Sequence, residues 1–196
     1  MASKIRRWVF LAIPFVCLVA VCVCHSADIP ERPLTYVVDL AGILDTATQK
    51  RLNGYLQELE QKTTAQLVVL TIKSLEGESI EDFSINVAHD KWKLGQKGKD
   101  NGVLFLISVT DRKYRIEAGY GLEGILPDSL VGSLGRNFLV PLFRKGEYSK
   151  AIFATALAMA NEIAMDAGVK INGMPSVHRH VRPIIKDKPG GLLRSL

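Results

Sequence analysis

The sequence predicts a small α/β domain, a three-layer sandwich in which a mixed β-sheet carries helices on both faces. Three observations predict it. Segments with helical periodicity alternate with short apolar segments along the chain. Residues 103–109 are almost continuously apolar, as expected of a central strand that is covered on both faces. Residues 113–118 follow a two-residue turn at Asp111-Arg112, so we expect an antiparallel hairpin partner.

The first 27 residues have the layout of a secretory signal peptide. A basic start is followed by an uncharged run of 17 residues, Trp8 to Cys24, and then by the small pair Ser26-Ala27. A run of this length is also at the short limit for spanning a bilayer, so an uncleaved anchor is the alternative. Both alternatives predict export to a periplasmic or other extracytoplasmic compartment. All three cysteines lie in this leader, which excludes disulfides, thiolate metal sites and cysteine nucleophiles from the exported chain.

The charge distribution divides the remaining chain. We expect a linker at 28–35, one folded domain at 36–168 and a flexible basic tail at 169–196. The formal net charge is +5, yet residues 28–168 hold 16 basic and 19 acidic residues. The basic excess lies in the leader and the tail, so the composition does not indicate a nucleic-acid-binding domain. The tail is a candidate for contact with anionic lipid.

Helices and strands follow one another in a simple order. Asp45 and Thr46 offer N-caps for a first amphipathic helix that runs to about Lys62, and Thr46 with Gln49 fits a capping box. A buried strand rich in valine, leucine, threonine and isoleucine is predicted at 66–73. Ser79 begins a second helix, which ends before the linker 95–99. The strands at 66–73 and 103–109 should be parallel and joined by a right-handed crossover.

Two further helices are predicted between the hairpin and the tail. Asp128 offers an N-cap for a third helix, which Pro141 is expected to end. A fourth helix is predicted from about Tyr148 to Ala167, with Gly168 as its C-terminal cap.

Six blocks of sequence stand out between about residue 36 and residue 168. The blocks are Val38-Asp39-Leu40-Ala41-Gly42-Ile43-Leu44, Trp92 with a glycine-containing loop, Asp100-Asn101-Gly102-Val103-Leu104-Phe105-Leu106, Asp111-Arg112, Gly119-Tyr120-Gly121-Leu122-Glu123 and Asp128. In order and spacing they resemble the TPM domain family, which contains exported bacterial proteins and thylakoid-lumen proteins of photosystem II repair. The resemblance implies three alternatives for function: a calcium-binding acid phosphatase, an accessory factor in the assembly of membrane complexes, or a role not yet defined.

A first candidate metal site lies at the edge where the strand 103–109 begins. If the hairpin returns as predicted, Asp100 lies near the loop Gly119-Tyr120-Gly121, with Glu123 and Asp128 a few residues on. Carboxylates and backbone carbonyls are ligands that calcium prefers, so Ca²⁺ is the metal expected there. Ordinary structural roles are the alternative: Asp100 in a turn, Asp128 as an N-cap and Glu123 in solvent.

A second candidate cluster lies at the opposite edge and contains Asp39, Asp111 and Arg112. Ligands of open α/β sheets bind near the carboxyl ends of parallel strands, which favours this edge. The alternative is again structural, with Asp111-Arg112 as a polar hairpin tip and Asp39 paired with Arg112 or capping a turn.

Two functions therefore remain open. One is an exported adaptor for an envelope membrane complex, in which calcium at most stabilises a loop. The other is a divalent-metal-dependent phosphomonoesterase, for which the sequence offers no clear general acid and no basic clamp other than Arg112 or Arg136. The missing acid and base favour the adaptor.

Overall fold

A computed structural model describes residues 29–173 of the 196-residue chain. The predicted leader at 1–27 and residues 174–196 of the predicted tail lie outside the described residues. Within residues 29–173, every helix is too short or too polar to cross a membrane.

Four strands and five α-helices make up the domain, and the predicted fold class is confirmed. The strands are β1 Val37–Asp39, β2 Gln66–Ile72, β3 Gly102–Ser108 and β4 Lys113–Ala118. The helices are α1 Thr46–Thr63, α2 Ile80–Ile85, α3 Asp128–Leu134, α4 Val140–Phe143 and α5 Tyr148–Asp166. Two π-helical segments, Asn86–Lys91 after α2 and Gly135–Leu139 between α3 and α4, and a short 3₁₀ turn, Tyr120–Leu122, complete the description.

The strands form one mixed sheet in the order β1-β2-β3-β4. β1 pairs with β2, and β2 with β3, in parallel, while β4 returns antiparallel to β3. The hairpin register joins Ser108 to Lys113 and Val103 to Ala118. The carboxyl ends of β1, β2 and β3 therefore meet at one edge, where the hairpin turn also lies.

Alternate residues of the sheet build two hydrophobic cores, one on each face. On the first face, Leu67, Val69 and Phe105 pack with α1 and α5. On the second face, Val68, Leu70 and Leu104 pack with α2 and the π segment that follows it. This alternation explains why β3 reads as a continuous apolar run, since both of its faces are covered.

The two parallel crossovers have opposite hands. The strand order advances from β1 to β3 in one direction, so two right-handed crossovers would place α1 and α2 on the same face. They pack on opposite faces. One of the two connections thus departs from the usual right-handed rule.

The helix ends correct three predictions. Asp45, not Thr46, caps α1 by accepting from the Thr48 N–H at 2.8 Å. The amide of Gln49 reaches the Leu44 carbonyl at 3.0 Å instead of closing a capping box with Thr46. Asp128 is the first residue of α3 rather than its N-cap, since Pro127 takes the extended N-cap conformation.

Pro141 does not end the third helical region. It lies in the first turn of α4, where a missing N–H is tolerated, because the π segment before it starts a new α-helical register. Ser79 does cap α2, accepting from the Asp82 N–H at 3.1 Å. Gly168 follows α5 with φ +66°, as a C-terminal cap requires.

Both ends of the described chain are attached to the domain. In the predicted linker, the Pro30 carbonyl accepts a hydrogen bond from the Trp92 indole at 2.8 Å. At the start of the predicted tail, Ile171 is buried, and the Gly173 carbonyl accepts from the Tyr55 hydroxyl at 2.7 Å. Residues 169–173 therefore pack along α1 instead of leaving the domain at Val169.

Candidate functional site

A cleft of about 600 Å³ opens at the carboxyl end of β3, between the β3–β4 hairpin and the α4–α5 connection. Its polar lining consists of hydroxyl groups and cations, its apolar lining comes mainly from α4 and the π segment before it, and none of its lining residues is acidic. The lining residues are Ser108, Val109, Arg112, Lys113, Tyr114, Leu139, Val140, Phe143, Arg144 and Tyr148.

The hairpin turn supplies Arg112 to this cleft. The Arg112 N–H donates to the Val109 carbonyl at 3.2 Å, which closes the turn, and Arg112 takes φ +53°. Glycine or asparagine adopts this left-handed conformation at lower cost than arginine. The turn therefore places the exposed Arg112 at a backbone conformation that disfavours a non-glycine residue.

The opposite wall comes from the end of α4. Arg144 is exposed and forms the C-cap of α4, where a positive charge is favourable beside the last carbonyl groups. Phe143 and Tyr148 meet edge to face, with ring centroids 5.0 Å apart. Within residues 29–173, neither Arg112 nor Arg144 has an acidic partner within salt-bridge distance.

The floor of the cleft depends on a close contact between Tyr114 and Gly135. A Cβ atom at Gly135 would lie 2.0 Å from the Tyr114 hydroxyl oxygen, so only glycine leaves room for the ring. The contact sets the distance between β4 and the π segment Gly135–Leu139. That segment in turn places Leu139 in the cleft wall.

Asp111 lies behind the cleft and supports it. Its carboxylate accepts from the Ser108 hydroxyl at 2.5 Å and from the Leu75 N–H at 2.7 Å. The Ser108 hydrogen bond, followed by the Leu75 hydrogen bond, lowers the pKa of Asp111. The carboxylate is ionised at neutral pH, and its Oδ2 accepts both hydrogen bonds, so it fixes the turn and orients Ser108.

Asp39 caps a turn, as the structural alternative anticipated. It accepts from the N–H groups of Ile43 at 3.2 Å and Leu44 at 2.9 Å, and from the hydroxyl of Thr71. Among the described residues, no hydrogen bond or ion pair joins Asp39 to Asp111 or Arg112. In the structure, Asp39 and Asp111 are therefore each hydrogen-bonded within a different loop, while Arg112 lines the cleft.

The first predicted cluster lies at the other edge of the sheet, where backbone contacts dominate. The Asp100 carbonyl accepts from the Gly121 N–H at 3.1 Å. A Cβ atom at Gly119 would lie 2.1 Å from that same oxygen, and one at Gly121 would lie 2.0 Å from the Lys99 carbonyl oxygen. The loop glycines therefore permit a close approach of two chain segments, while Tyr120 is 81% exposed beside them.

The side chains at this edge do not form a recognisable ligand set. Asp100, Glu123 and Asp128 are all exposed. Among residues 29–173, no three histidine, cysteine, aspartate or glutamate side chains are grouped closely enough to hold a metal ion. A calcium site at these residues stays a prediction, with no ligand geometry on which to build a reaction step.

Comparison with known proteins identifies the domain type. The family model described as the TPM domain matches residues 37–162. Two chloroplastic UPF0603 proteins of rice, from Oryza sativa subspecies indica and japonica, are each 24% identical over 130 residues. That match spans 66% of this chain but only 43% of each rice protein.

Solved structures share the fold. The N-terminal domain of a P. gingivalis protein, solved by NMR, has a TM-score of 0.64 and 29% identity, covering 74% of this chain and 88% of that one. An N-terminal domain from Corynebacterium glutamicum has a TM-score of 0.51 at 15% identity, covering 79% and 95%. The BA42 protein of Bizionia argentinensis has a TM-score of 0.50 at 17% identity, covering 62% and 82%. The last two similarities bear on the fold alone.

Sequence reasoning found Arg112 but missed most of the cleft. Arg144, Phe143 and Tyr148 are more than 30 residues further along the chain. The only local signal was a basic pair, Arg144-Lys145, before the helix breaker Gly146. Their approach to the hairpin depends on the packing of α4 and α5, which periodicity does not reveal.

Proposed function

The chain belongs to the TPM domain family, and we propose that its domain is an exported accessory module that binds an envelope membrane complex and supports its assembly or maintenance. One observation carries the proposal: at the carboxyl edge of the sheet, a cleft of about 600 Å³ combines an apolar wall with two arginines that have no acidic partner among residues 29–173. Such a surface suits binding of an anionic and partly apolar group.

Compartment and relatives support this proposal. The leader-like residues 1–27 favour export, either by cleavage or with an uncleaved anchor. The rice relatives are chloroplastic by name, and the chain spans less than half of their length. The shared domain is therefore one part of those proteins, as expected of a module that works together with other segments.

The ionisable groups near the cleft favour binding over hydrolysis. Asp111 is held by two hydrogen bonds that lower its pKa, so its carboxylate is a weak base. His89, which is the only histidine among residues 29–173, lies elsewhere, with Nε2 3.9 Å from the Glu117 carboxylate. Calcium enters this proposal only as a stabiliser of the loop near Asp100.

Site-specific photocrosslinking tests the proposal. A benzoylphenylalanine replaces Phe143 in the cleft, and a matched variant carries it at Tyr120, an exposed aromatic residue at the opposite edge. Irradiation in intact envelopes should give a discrete adduct with a membrane-complex subunit, identified by mass spectrometry, from position 143 but not from position 120. The absence of any adduct at 143, or equal adducts at both positions, would contradict docking through the cleft.

A second candidate function is a phosphomonoesterase, which the cleft favours because Arg112 lines one wall and Arg144 the opposite wall. Two arginines hold phosphoryl oxygens well. The test is hydrolysis of an aryl phosphate by the wild type, Arg112→Gln and Asp100→Asn, each with and without a chelator. Activity lost in Arg112→Gln would support this candidate, and loss in Asp100→Asn or with chelator would add a metal. A rate equal to that of a buffer blank would exclude it.

A further inference from the structure

We infer that the cleft recognises the C-terminal carboxylate of a partner polypeptide whose last residue has an apolar side chain. The inference rests on the proposed accessory function and names the chemistry of the partner at that same site. It is carried by the juxtaposition of Arg112 and Arg144 with the wall formed by Leu139, Val140 and Phe143.

The cleft carries positive charge that the acidic side chains of residues 29–173 do not pair with at salt-bridge distance. Within residues 29–173, Arg112 and Arg144 have no acidic partner within salt-bridge distance. The nearest acid to Arg144 along the chain, Glu147, is paired with Lys150 at 2.9 Å. The Asp111 carboxylate is hydrogen-bonded to the Ser108 hydroxyl and the Leu75 N–H. A guanidinium group binds a carboxylate through two parallel hydrogen bonds. A carboxylate ligand would therefore pair with the guanidinium groups of Arg112 and Arg144.

Hydroxyl groups add donors beside the arginines. Tyr114 and Tyr148 line the cleft, each with a phenol group, and Ser108 lines it with its hydroxyl donated to Asp111. Phenol groups donate to carboxylate oxygens that one guanidinium does not fill. The lining thus combines hydrogen-bond donors with apolar side chains.

The apolar wall distinguishes a chain terminus from a free inorganic anion. Leu139, Val140, Phe143 and Val109 present apolar atoms beside the cations. Inorganic phosphate would leave this wall in contact with water, whereas a terminal leucine or phenylalanine places a carboxylate and an apolar side chain on the same residue. A volume of about 600 Å³ accommodates such a residue together with the backbone that precedes it.

Fluorescence anisotropy with a labelled peptide, acetyl-Ala-Ala-Ala-Leu with a free carboxylate, tests the inference on the domain in the full chain. We expect binding at least tenfold tighter than that of the same peptide with an amidated terminus. Replacement of the terminal leucine by serine should weaken binding by a similar factor. Raising the salt concentration should weaken binding of the free acid but not of the amide.

Variants then locate the interaction. Arg112→Gln and Arg144→Gln should each weaken binding at least tenfold, while the matched control Arg136→Gln, an exposed arginine outside the cleft lining, should change it less than twofold. Arg112 and Arg144 are both exposed, so thermal unfolding should stay within a few degrees of the wild type and exclude misfolding as the cause.

Three results would overturn the inference: equal binding of acid and amide, stronger competition by phenyl phosphate than by the unlabelled acid peptide, or displacement of the peptide by phosphatidylglycerol vesicles alone. The crosslinking experiment distinguishes failure of the proposed carboxylate ligand from failure of the proposed accessory function. An adduct at position 143 without any preference for a free carboxylate rejects this ligand and leaves the accessory function standing.

Discussion

Gly119 lies against the backbone of Asp100, and this contact predicts the cost of adding one methyl group. A Cβ atom there would be 2.1 Å from the Asp100 carbonyl oxygen and 2.8 Å from its carbon. Gly119 has φ −65° and ψ 155°, which alanine adopts readily. The cost of Gly119→Ala must therefore come from the contact and not from the backbone conformation.

The magnitude follows from the displacement that alanine would force. The two segments must separate by about 1 Å, and overpacking of this kind costs about 1–3 kcal/mol. The same separation stretches two hydrogen bonds. The Gly119 N–H donates to the Gly102 carbonyl at 2.8 Å, and the Gly121 N–H donates to the Asp100 carbonyl at 3.1 Å. Each hydrogen bond contributes about 1 kcal/mol net. Stretching weakens these hydrogen bonds without breaking them, so we expect a total loss of about 3 kcal/mol in the free energy of unfolding, or about 6–12 °C in Tm for a domain of this size.

Urea unfolding followed by circular dichroism measures this loss, with linear extrapolation to water. Gly124→Ala is the matched control, since Gly124 is exposed and an added methyl group there would meet no atom of another chain segment within 4 Å. That control should stay within about 0.5 kcal/mol of the wild type. A Gly119→Ala variant as stable as Gly124→Ala would refute the close-approach explanation of this loop.

Three further predictions concern other parts of the domain. Because its folded-state pKa is lowered, the Asp111 carboxylate stabilises the native state above its unfolded pKa of about 4, and this contribution is lost as the pH falls through the lower folded value. Asp111→Asn should therefore be less stable than the wild type in urea at pH 7, with the difference shrinking below about pH 4; a difference independent of pH would contradict the assignment. Ser79→Ala should lower the unfolding free energy by about 1 kcal/mol, because Ser79 caps α2, whereas Ser129→Ala, at an exposed site, should have a much smaller effect. Calorimetric titration with calcium should show binding heat for the wild type and for Asp111→Asn, but not for Asp100→Asn. Calcium binding by Asp100→Asn would place the calcium site elsewhere.

Much of the fold was predictable because local signals agree with it. The predicted hairpin strand 113–118 has the same bounds as β4, and the apolar run at 103–109 differs from β3 by one residue at each end. Alternation and turn residues determine such elements without help from distant parts of the chain. The amphipathic face of α1, with Leu52, Leu56 and Leu59 buried, follows from the sequence in the same way.

The third helical region was less predictable. Its π segment, Gly135–Leu139, shifts the helical register, so Pro141 falls in a first turn instead of ending a helix. The packing of this segment is tertiary, since Gly135 leaves room for Tyr114 on β4. Sequence periodicity does not predict a contact between Tyr114 and Gly135, which are 21 positions apart.

The candidate site was predictable only in part, for a related reason. The carboxylates in the sequence predicted sites at both edges of the sheet. Asp39 and Asp111, however, accept hydrogen bonds from backbone N–H groups of neighbouring loops. Arg112 was recognised as a member of the second cluster, but its partner across the cleft, Arg144, comes from a connection whose position depends on α4 and α5. Sequence patterns located the edge, whereas packing determined which charges face the cleft.

Amide NMR of the isotopically labelled protein during titration with acetyl-Ala-Ala-Ala-Leu bearing a free carboxylate tests the central claim most directly. We predict that chemical-shift changes concentrate at Val109–Lys113 and Leu139–Tyr148, around the cleft at the carboxyl edge. Changes concentrated at Lys99, Asp100 and Gly119–Gly121, or no changes at saturating peptide, would contradict the claim that the domain binds through this cleft.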